Sequence, residues 1–400
     1  MASTSTEHVS ATAGTDADGI FPGIRKGFVY RVEERLGLTR ADNSHVGLRV
    51  ILAIALTWLP LIVLALFSGG SRACIELLKN YRVLARFVIA IPIFIISQQA
   101  ITIRFEYAIR QLSMTHIVRD SELPQFKRIL TRTRTLANTA VPQLVVLMVY
   151  FAFALMDRHR FASPGLWAIQ TATGPSLFST KAGWYFLLVS EPIYLMMVTV
   201  IIWKWMVWVS LLWRVSQLDL QLAFAHPDRC GGLGFLEYVP EGYTGPVFGV
   251  CALIGAGWQF NVANHYATLA SYSIPVSVLL VGILLLMFGP LAFFSSRLVQ
   301  LRRTGLFQYG MLAHLQAAHF NQKWITDLES NEPQLPSVPE VSALHDLGEE
   351  FQQMMSTRSV PLHRSSVVEM TVVVLIPMLP MLITVIPLMT LLKDIARALL

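Results

Sequence analysis

Seven long apolar stretches constrain this chain more than any other feature of its sequence. They cover residues 50–67, 83–101, 139–156, 184–212, 246–263, 274–294 and 367–392. Each is close to, or longer than, the ~18–20 residues that an α-helix needs to cross about 30 Å of hydrocarbon. A soluble chain of 400 residues would not hold so many runs that are nearly free of charge. The sequence therefore predicts an all-α polytopic membrane protein with about seven transmembrane helices.

The composition agrees with a single membrane domain. Hydrophobic residues make up 54% of the chain and charged residues only 14%, which is well below the ~25% of a typical soluble domain. No apolar-poor block is long enough for a separate soluble domain, so we expect one transmembrane domain from residue 46 to 400. Before it, residues 1–20 are predicted to be a disordered tail, and residues 21–45 an amphipathic segment on the membrane surface.

The basic residues predict the orientation of the chain. Lys and Arg are more than three times as numerous in the N-terminal segment and the loops 102–138, 213–245 and 295–365 as in the alternate loops. Because basic loops remain cytoplasmic, we place the N-terminus inside. The net charge of +6 is expected to meet anionic lipid there rather than nucleic acid. The last stretch leaves an alternative open, since Pro377, Pro380 and Pro387 could break it into a re-entrant pair.

Several apolar stretches are expected to continue as helices beyond the membrane. The fourth is 29 residues long, about 43 Å as a helix, and the segment 291–324 keeps a helical apolar rhythm without a proline. The second could extend through Leu112. The loops 102–138, 213–245 and 295–365 are therefore predicted to form a small helical part on the cytoplasmic side, with a short helix near 341–355. Within the fifth stretch, Gly249, Gly255 and Gly257 predict close helix packing.

Ionisable and amide side chains at membrane depth are the first candidate site, because each costs several kcal/mol unless it is paired or hydrated. Glu191 and Arg86 are both predicted in the outer half of their spans. The fifth span adds polar residues toward its outer end, namely Gln259, Asn261, Asn264 and His265. Together they would form a polar pocket or vestibule on a transport pathway. The alternative is a structural ion pair that fixes helix packing.

The second candidate site is a polar loop between the fourth and fifth spans, with the sequence Ala-His-Pro-Asp-Arg-Cys-Gly-Gly-Leu-Gly-Phe. Its chemistry comes from an imidazole, a carboxylate, a guanidinium and three glycines, at His226, Asp228, Arg229, Gly231, Gly232 and Gly234. Successive N–H groups in such a loop can form an anion-binding nest. The alternative is a tight turn in which Asp228 and Arg229 pair or cap. The glycine spacing matches no nucleotide fingerprint, and we expect neither a metal nor a cofactor.

The same loop carries a resemblance to known proteins. His-Pro-Asp-Arg-x-Gly-Gly-Leu-Gly-Phe resembles a run that lies between two spans in bacterial multi-pass membrane proteins of uncharacterised activity. The resemblance implies a bacterial inner-membrane protein and no particular chemistry. The overall plan also looks like that of the insect chemoreceptor channels, in shape only, since the last span carries no matching signature.

The sequence thus favours a channel or transporter for an ion or small solute over an enzyme. The alternatives are a membrane-embedded enzyme acting on a lipid or phosphate-bearing substrate at the cytoplasmic face, and a membrane sensor or scaffold. Expected partners are the lipid bilayer and the transported solute, with a homo-oligomer left open and no nucleic acid.

Overall fold

The computed structural model describes residues 39–40, 43–44, 46–115, 117–156, 181–326 and 338–381. Seven of the helices in these ranges are long and apolar enough to cross a membrane, which confirms the all-α polytopic fold. In chain order, with one further helix, the eight are α1 Val46–Phe67, α2 Tyr81–Met114, α3 Asp120–Ala154, α4 Lys181–Ser216, α5 Gly234–Ala263, α6 Leu269–Trp324, α7 Val338–Met355 and α8 Arg364–Met381.

Most of these helices are interrupted rather than uniform. The regular α segments that form and join them are Val46–Thr57, Leu59–Lys79, Tyr81–Leu84, Ile91–Met114, Leu123–Ala137, Val141–Met156, Lys181–Tyr185, Glu191–Ser216, Tyr238–Glu241, Thr244–Ala263, Ser273–Phe288, Ser295–Asn321, Val338–Met355 and Arg364–Leu375. Wider π-helical turns lie at Ala85–Ala90, Phe186–Ser190 and Gln322–Thr326, and tighter 3₁₀ turns at Asp120–Glu122, Gly234–Glu237, Leu269–Tyr272, Gly289–Phe294 and Ile376–Met378. The strands β1 Thr39–Arg40 and β2 Asn43–Ser44 form one short antiparallel pair.

α2 and α6 continue well past their apolar stretches, as predicted, whereas α4 ends only four residues after its stretch. α2 runs on to Met114, α4 to Ser216 and α6 to Trp324, all at the same end of the bundle because successive spans alternate in direction. We call this the extended end; it is the end predicted to be cytoplasmic. The short helix expected near 341–355 is present as α7. Its partner there is α6, where Gly305 has no side chain and the Met354 sulfur lies 2.6 Å from the position a Cβ would take.

The parts of the chain near its two ends bear on three predictions. Residues 1–38 lie outside the described residues, so the tail (1–20) and most of the surface segment (21–45) stay predictions. In the last span a 3₁₀ turn at Ile376–Met378 contains Pro377, and the predicted range 382–392 also lies outside the described residues. The re-entrant alternative therefore stays open as well.

Close packing of α5 sets the spacing of the bundle. Gly249 lies against Phe94 of α2, whose ring is 2.7 Å from the position that a Cβ would occupy. Gly255 lies equally close to the backbone oxygen of Pro377 in α8. A larger residue at either position would push the helices apart, so the predicted packing role is confirmed for Gly249 and Gly255. Gly257 is not closely packed, because the atom nearest to its Cβ position is 3.5 Å away, on Arg82.

Candidate functional site

An ion pair within the spans is the centre of the first candidate site. Arg86 on α2 donates through its guanidinium to the carboxylate of Glu191 on α4, 105 residues later in the chain. The same guanidinium lies over the ring of Tyr194, with its carbon 4.9 Å from the ring centroid. The side chains are 25% and 14% exposed, so the pair is largely buried while its arginine stays partly accessible. A neighbouring charge and a ring face together stabilise a guanidinium that the hydrocarbon would otherwise disfavour.

Both helices have an unusual backbone where they carry this pair. Pro92 and Pro192 each stand in the first turn of an α segment, and a π-helical turn precedes each of them, at Ala85–Ala90 and Phe186–Ser190. Proline has no N–H to donate, and its ring crowds the carbonyl of the turn before it, so that turn widens. The N–H of Glu191 accordingly bonds the carbonyl five residues earlier rather than four. π turns occur frequently at functional sites.

A third helix completes the surroundings of the pair. In the π register, the missing N–H of Pro192 would have bonded the carbonyl of Leu187. The hydroxyl of Tyr150 on α3 donates to that carbonyl at 3.1 Å. On the other side, Ser190 donates to the carbonyl of Thr57 in α1 at 2.8 Å, in a fully buried contact. Four helices therefore meet around the pair, which holds it in a fixed geometry.

Sequence reasoning missed Tyr150, Tyr194 and Ser190, although one signal was present. The runs Pro92-Ile93-Phe94 and Pro192-Ile193-Tyr194 share the pattern proline, isoleucine, aromatic residue. In the structure Phe94 and Tyr194 stack on each other, with ring centroids 6.1 Å apart and planes at 28°. The matching runs indicate that α2 and α4 pair side by side at the same depth.

The polar residues expected near the pair form a separate group at the end of α5. Asn261 donates to the hydroxyl of Tyr272 at 3.1 Å, and Asn264 donates to the carbonyl of Phe260 at 2.8 Å. His265 is exposed and adopts a positive φ of 58°, the left-handed conformation that ends many helices. Gln259 is half-buried on the same helix. Among the described residues, no hydrogen bond or ion pair joins these four to Arg86 or Glu191, although α5 packs against the π-helical turn that carries Arg86.

Arg82, which the sequence analysis did not select as a site residue, lies beside that group. The guanidinium carbon of Arg82 is 5.3 Å from the centroid of the Phe260 ring, and its Nε is 3.5 Å from the Cβ position of Gly257. Arg82 is four residues before Arg86, which is about one helical turn. The two arginines therefore follow each other along α2, from the α5 terminus toward Glu191.

The second candidate site is a compact loop organised by its own carboxylate. Asp228 accepts three backbone hydrogen bonds, from the N–H groups of Cys230 at 2.8 Å, Gly232 at 3.2 Å and Gly234 at 2.8 Å. The Nδ1 atom of His226 lies 2.8 Å from its Oδ1 atom. The same Nδ1 atom accepts from the backbone N–H of Asp228 at 3.3 Å. The N–H groups that could form an anion nest are thus occupied by Asp228 itself.

The electrostatics of the loop follow from these bonds. Burial by itself would raise the pKa of Asp228, but the three backbone N–H groups and His226 outweigh it and lower that pKa. Burial, followed by the nearby charge of Asp228, raises the pKa of Cys230 to about 12. The thiol of Cys230 is therefore protonated at neutral pH and is a poor nucleophile or metal ligand.

The glycines and Arg229 hold the loop against the rest of the extended end. Arg229 adopts a positive φ of 56°, and its carbonyl accepts from the N–H of Arg358 at 2.8 Å. Gly231, with a φ of 66°, lies so close to Leu301 of α6 that an added Cβ would be 2.9 Å from a leucine methyl. Glu237 accepts from the N–H of His363 at 2.7 Å. The loop therefore joins α4, α6 and the α7–α8 connection.

Neither site has the donors of a metal centre. Among the described residues, no group of three or more His, Cys, Asp or Glu side chains is placed to hold an ion. No protein-family model matches the chain, and no curated protein or solved structure matches it either. The function is therefore argued from the geometry of the two sites.

Proposed function

We propose that this integral membrane protein is a channel or transporter for an ion or small solute, with Arg86 and Glu191 on its pathway. The observation that carries the proposal is the ion pair at membrane depth, flanked on both helices by a π-helical turn and a proline. Ionisable residues inside a membrane are rare, and they often mark the pathway of an ion or substrate. Proline-broken helices are likewise typical of transporter sites.

The energetics support a role beyond packing. A buried ion pair is often no more stabilising than well-packed apolar side chains of the same volume, because both charges must be desolvated. The pair is therefore a costly way to hold α2 against α4. Arg86 remains a quarter exposed and keeps a cation that an approaching solute could reach. A solute that bears a negative charge would compete with Glu191 for this guanidinium.

The test is a flux measurement on purified protein in liposomes. Cation, anion and proton fluxes are recorded over a series of pH values and voltages for the wild type, for Glu191→Gln and for a matched control, Glu350→Gln, on the exposed face of α7. We expect flux in the wild type and the control and a changed flux in Glu191→Gln. A tight bilayer under every condition, from protein that remains folded, would overturn the transport proposal.

A reversed pair separates a pathway role from a structural one. In Arg86→Glu/Glu191→Arg the ion pair can form again with its charges exchanged, so a purely structural role predicts recovery of both stability and flux. A pathway role predicts recovered stability with flux still altered, because the solute meets the opposite charge at each position. Equal recovery of both quantities would assign Glu191 and Arg86 to packing alone.

The predicted cellular setting is part of the same proposal. The excess of basic residues at the extended end supports a cytoplasmic N-terminus, and the resemblance of the loop supports a bacterial inner membrane. Cys74, which is half-buried and follows α1, would then lie on the outer side. A membrane-impermeant maleimide should label it in intact cells, whereas labelling only in inverted vesicles would reverse the orientation.

One observation favours a second function, an enzyme at the cytoplasmic face. The half-exposed His226 lies 2.8 Å from the carboxylate of Asp228, and a histidine beside a carboxylate is a common arrangement for a general base. Against this, the three N–H groups that could have held a phosphate are bonded to Asp228. Density for a phosphate or lipid headgroup beside Nε2, in a structure determined with added lipid, would favour the enzyme over the transporter.

A further inference from the structure

A basic helix face lies at the extended end, apart from the Arg86–Glu191 pair. The segment Leu123–Ala137 of α3 buries Phe126, Ile129 and Leu130 in the same apolar core as Trp208 of α4. These three positions recur at helical spacing, so they form one side of the helix. The exposed side of the helix carries basic residues instead.

Three cations line that exposed side. Lys127, Arg128 and Arg132 are all exposed, and Arg128 and Arg132, four residues apart, lie one above the other on that side. The sequence has no Asp or Glu from residue 123 to 156, so no acidic neighbour follows along the helix. None of the three forms an ion pair with any residue that the structure describes. The face is therefore strongly positive and uncompensated within the described chain.

Its depth relative to the membrane follows from a single contact. The indole N–H of Trp203 donates to the carbonyl of Leu136 at 2.7 Å, and Trp203 begins the tryptophan-rich run of α4 that is typical of a headgroup layer. Arg132 is four residues from Leu136, about 6 Å along the helix, and Arg128 about 12 Å. Long basic side chains extend toward an interface, so both guanidinium groups can reach lipid phosphates.

We propose that this basic face, Lys127, Arg128 and Arg132, is a binding surface for an anionic phospholipid. The phosphodiester would lie against Arg128 and Arg132, with the acyl chains in the surrounding bilayer. Charge complementarity and depth select lipid over a soluble polyanion, because anionic headgroups are concentrated in the layer that these cations reach. The site is separate from the Arg86–Glu191 pair and does not depend on the transport proposal.

The test measures lipid binding to the purified full-length protein in neutral detergent. Phosphatidylglycerol and phosphatidylcholine with identical acyl chains are titrated, and bound lipid is counted by native mass spectrometry. Arg128→Gln/Arg132→Gln removes two cations from the face. Arg303→Gln/Lys323→Gln removes two exposed cations from α6 and is the matched control.

The expected results are specific. Each cation near a headgroup contributes about fivefold to affinity, so the face variant should bind phosphatidylglycerol about 25-fold more weakly, while the control changes less than about twofold. For the wild type alone, affinity for phosphatidylglycerol should fall as salt is raised, whereas that for phosphatidylcholine should not.

Three outcomes would overturn the proposal. Equal affinity of the wild type for both lipids would show that the headgroup charge is not recognised. An equal loss in the face variant and the control would show that only net charge matters. Full competition by inorganic phosphate at the same concentration as the lipid would identify a site for free phosphate rather than for a phospholipid.

Discussion

Removing the carboxylate of Glu191 should destabilise the protein by leaving Arg86 without its anion. Breaking a buried ion pair from one side costs about 3–5 kcal/mol, because the remaining charge stays desolvated. Here the exposed fractions of 25% and 14%, and the contact of Arg86 with the Tyr194 ring, place the expected loss for Glu191→Gln near the lower limit, about 3 kcal/mol. The measurement is reversible unfolding in mixed detergent micelles.

A double-mutant cycle isolates the pair from other effects of the substitution. Arg86→Met should cost much less in the Glu191→Gln background than in the wild type, since no carboxylate is then left unpaired. We expect a coupling free energy of about 2–3 kcal/mol between the two positions. The control cycle uses Arg303 and Glu350, which are exposed and should show none. Additive losses at positions 86 and 191, with coupling below about 0.5 kcal/mol, would refute the reasoning from desolvation.

Three further substitutions test the contacts around the two sites, each by its change in unfolding free energy in detergent micelles. Tyr150→Phe should cost about 0.6–1.7 kcal/mol, because the Leu187 carbonyl loses its hydroxyl donor within the spans; no loss would mean that another donor replaces it. Asp228→Asn should cost about 2–4 kcal/mol at pH 7, since a charged acceptor of three N–H groups is lost. The folded-state pKa of Asp228 is lowered. Its contribution to the unfolding free energy is therefore present above the unfolded pKa of about 3.9 and is lost as pH falls through the folded pKa. The loss of stability in acid should be smaller in the variant than in the wild type. Gly231→Ala should cost about 2 kcal/mol or more, because Gly231 has a positive φ and its Cβ position contacts α6. The control Gly348→Ala lies in the exposed helix α7 with open space around it, and it should stabilise the protein by up to about 1 kcal/mol. Equal effects of the two alanine substitutions would contradict the strain at Gly231.

The candidate sites show where sequence reasoning was sufficient and where it was not. Glu191 and Arg86 could be selected from the sequence because a charge inside an apolar run is conspicuous at any helix rotation. The same reasoning placed His265 and Asn264 with them, since they share a depth. In the structure α5 does pack against α2, but Asn264 bonds a carbonyl of its own helix and His265 is exposed at the helix end, because depth along the membrane normal does not say where a side chain points.

The loop at Asp228 shows the same limit at shorter range. Its glycines and its carboxylate were visible in the sequence, and they were compatible with an anion nest or with a capped turn. The choice depends on where one side chain points. In the fold, Asp228 turns back onto the N–H groups that follow it, and Gly231 allows the loop to approach α6.

The sequence by itself determined that the chain is an all-α polytopic protein with about seven long apolar helices, and that α2 and α6 continue at the extended end. These properties depend on the length and hydropathy of continuous segments, which a bilayer selects one helix at a time. Only the tertiary structure decided that Arg86 meets Glu191, that Tyr150 serves the carbonyl beside Pro192, and that Asp228 fills its own loop. Each of these contacts depends on the rotation and spacing of packed helices or on a local loop conformation, and those are set by the whole set of neighbours at once.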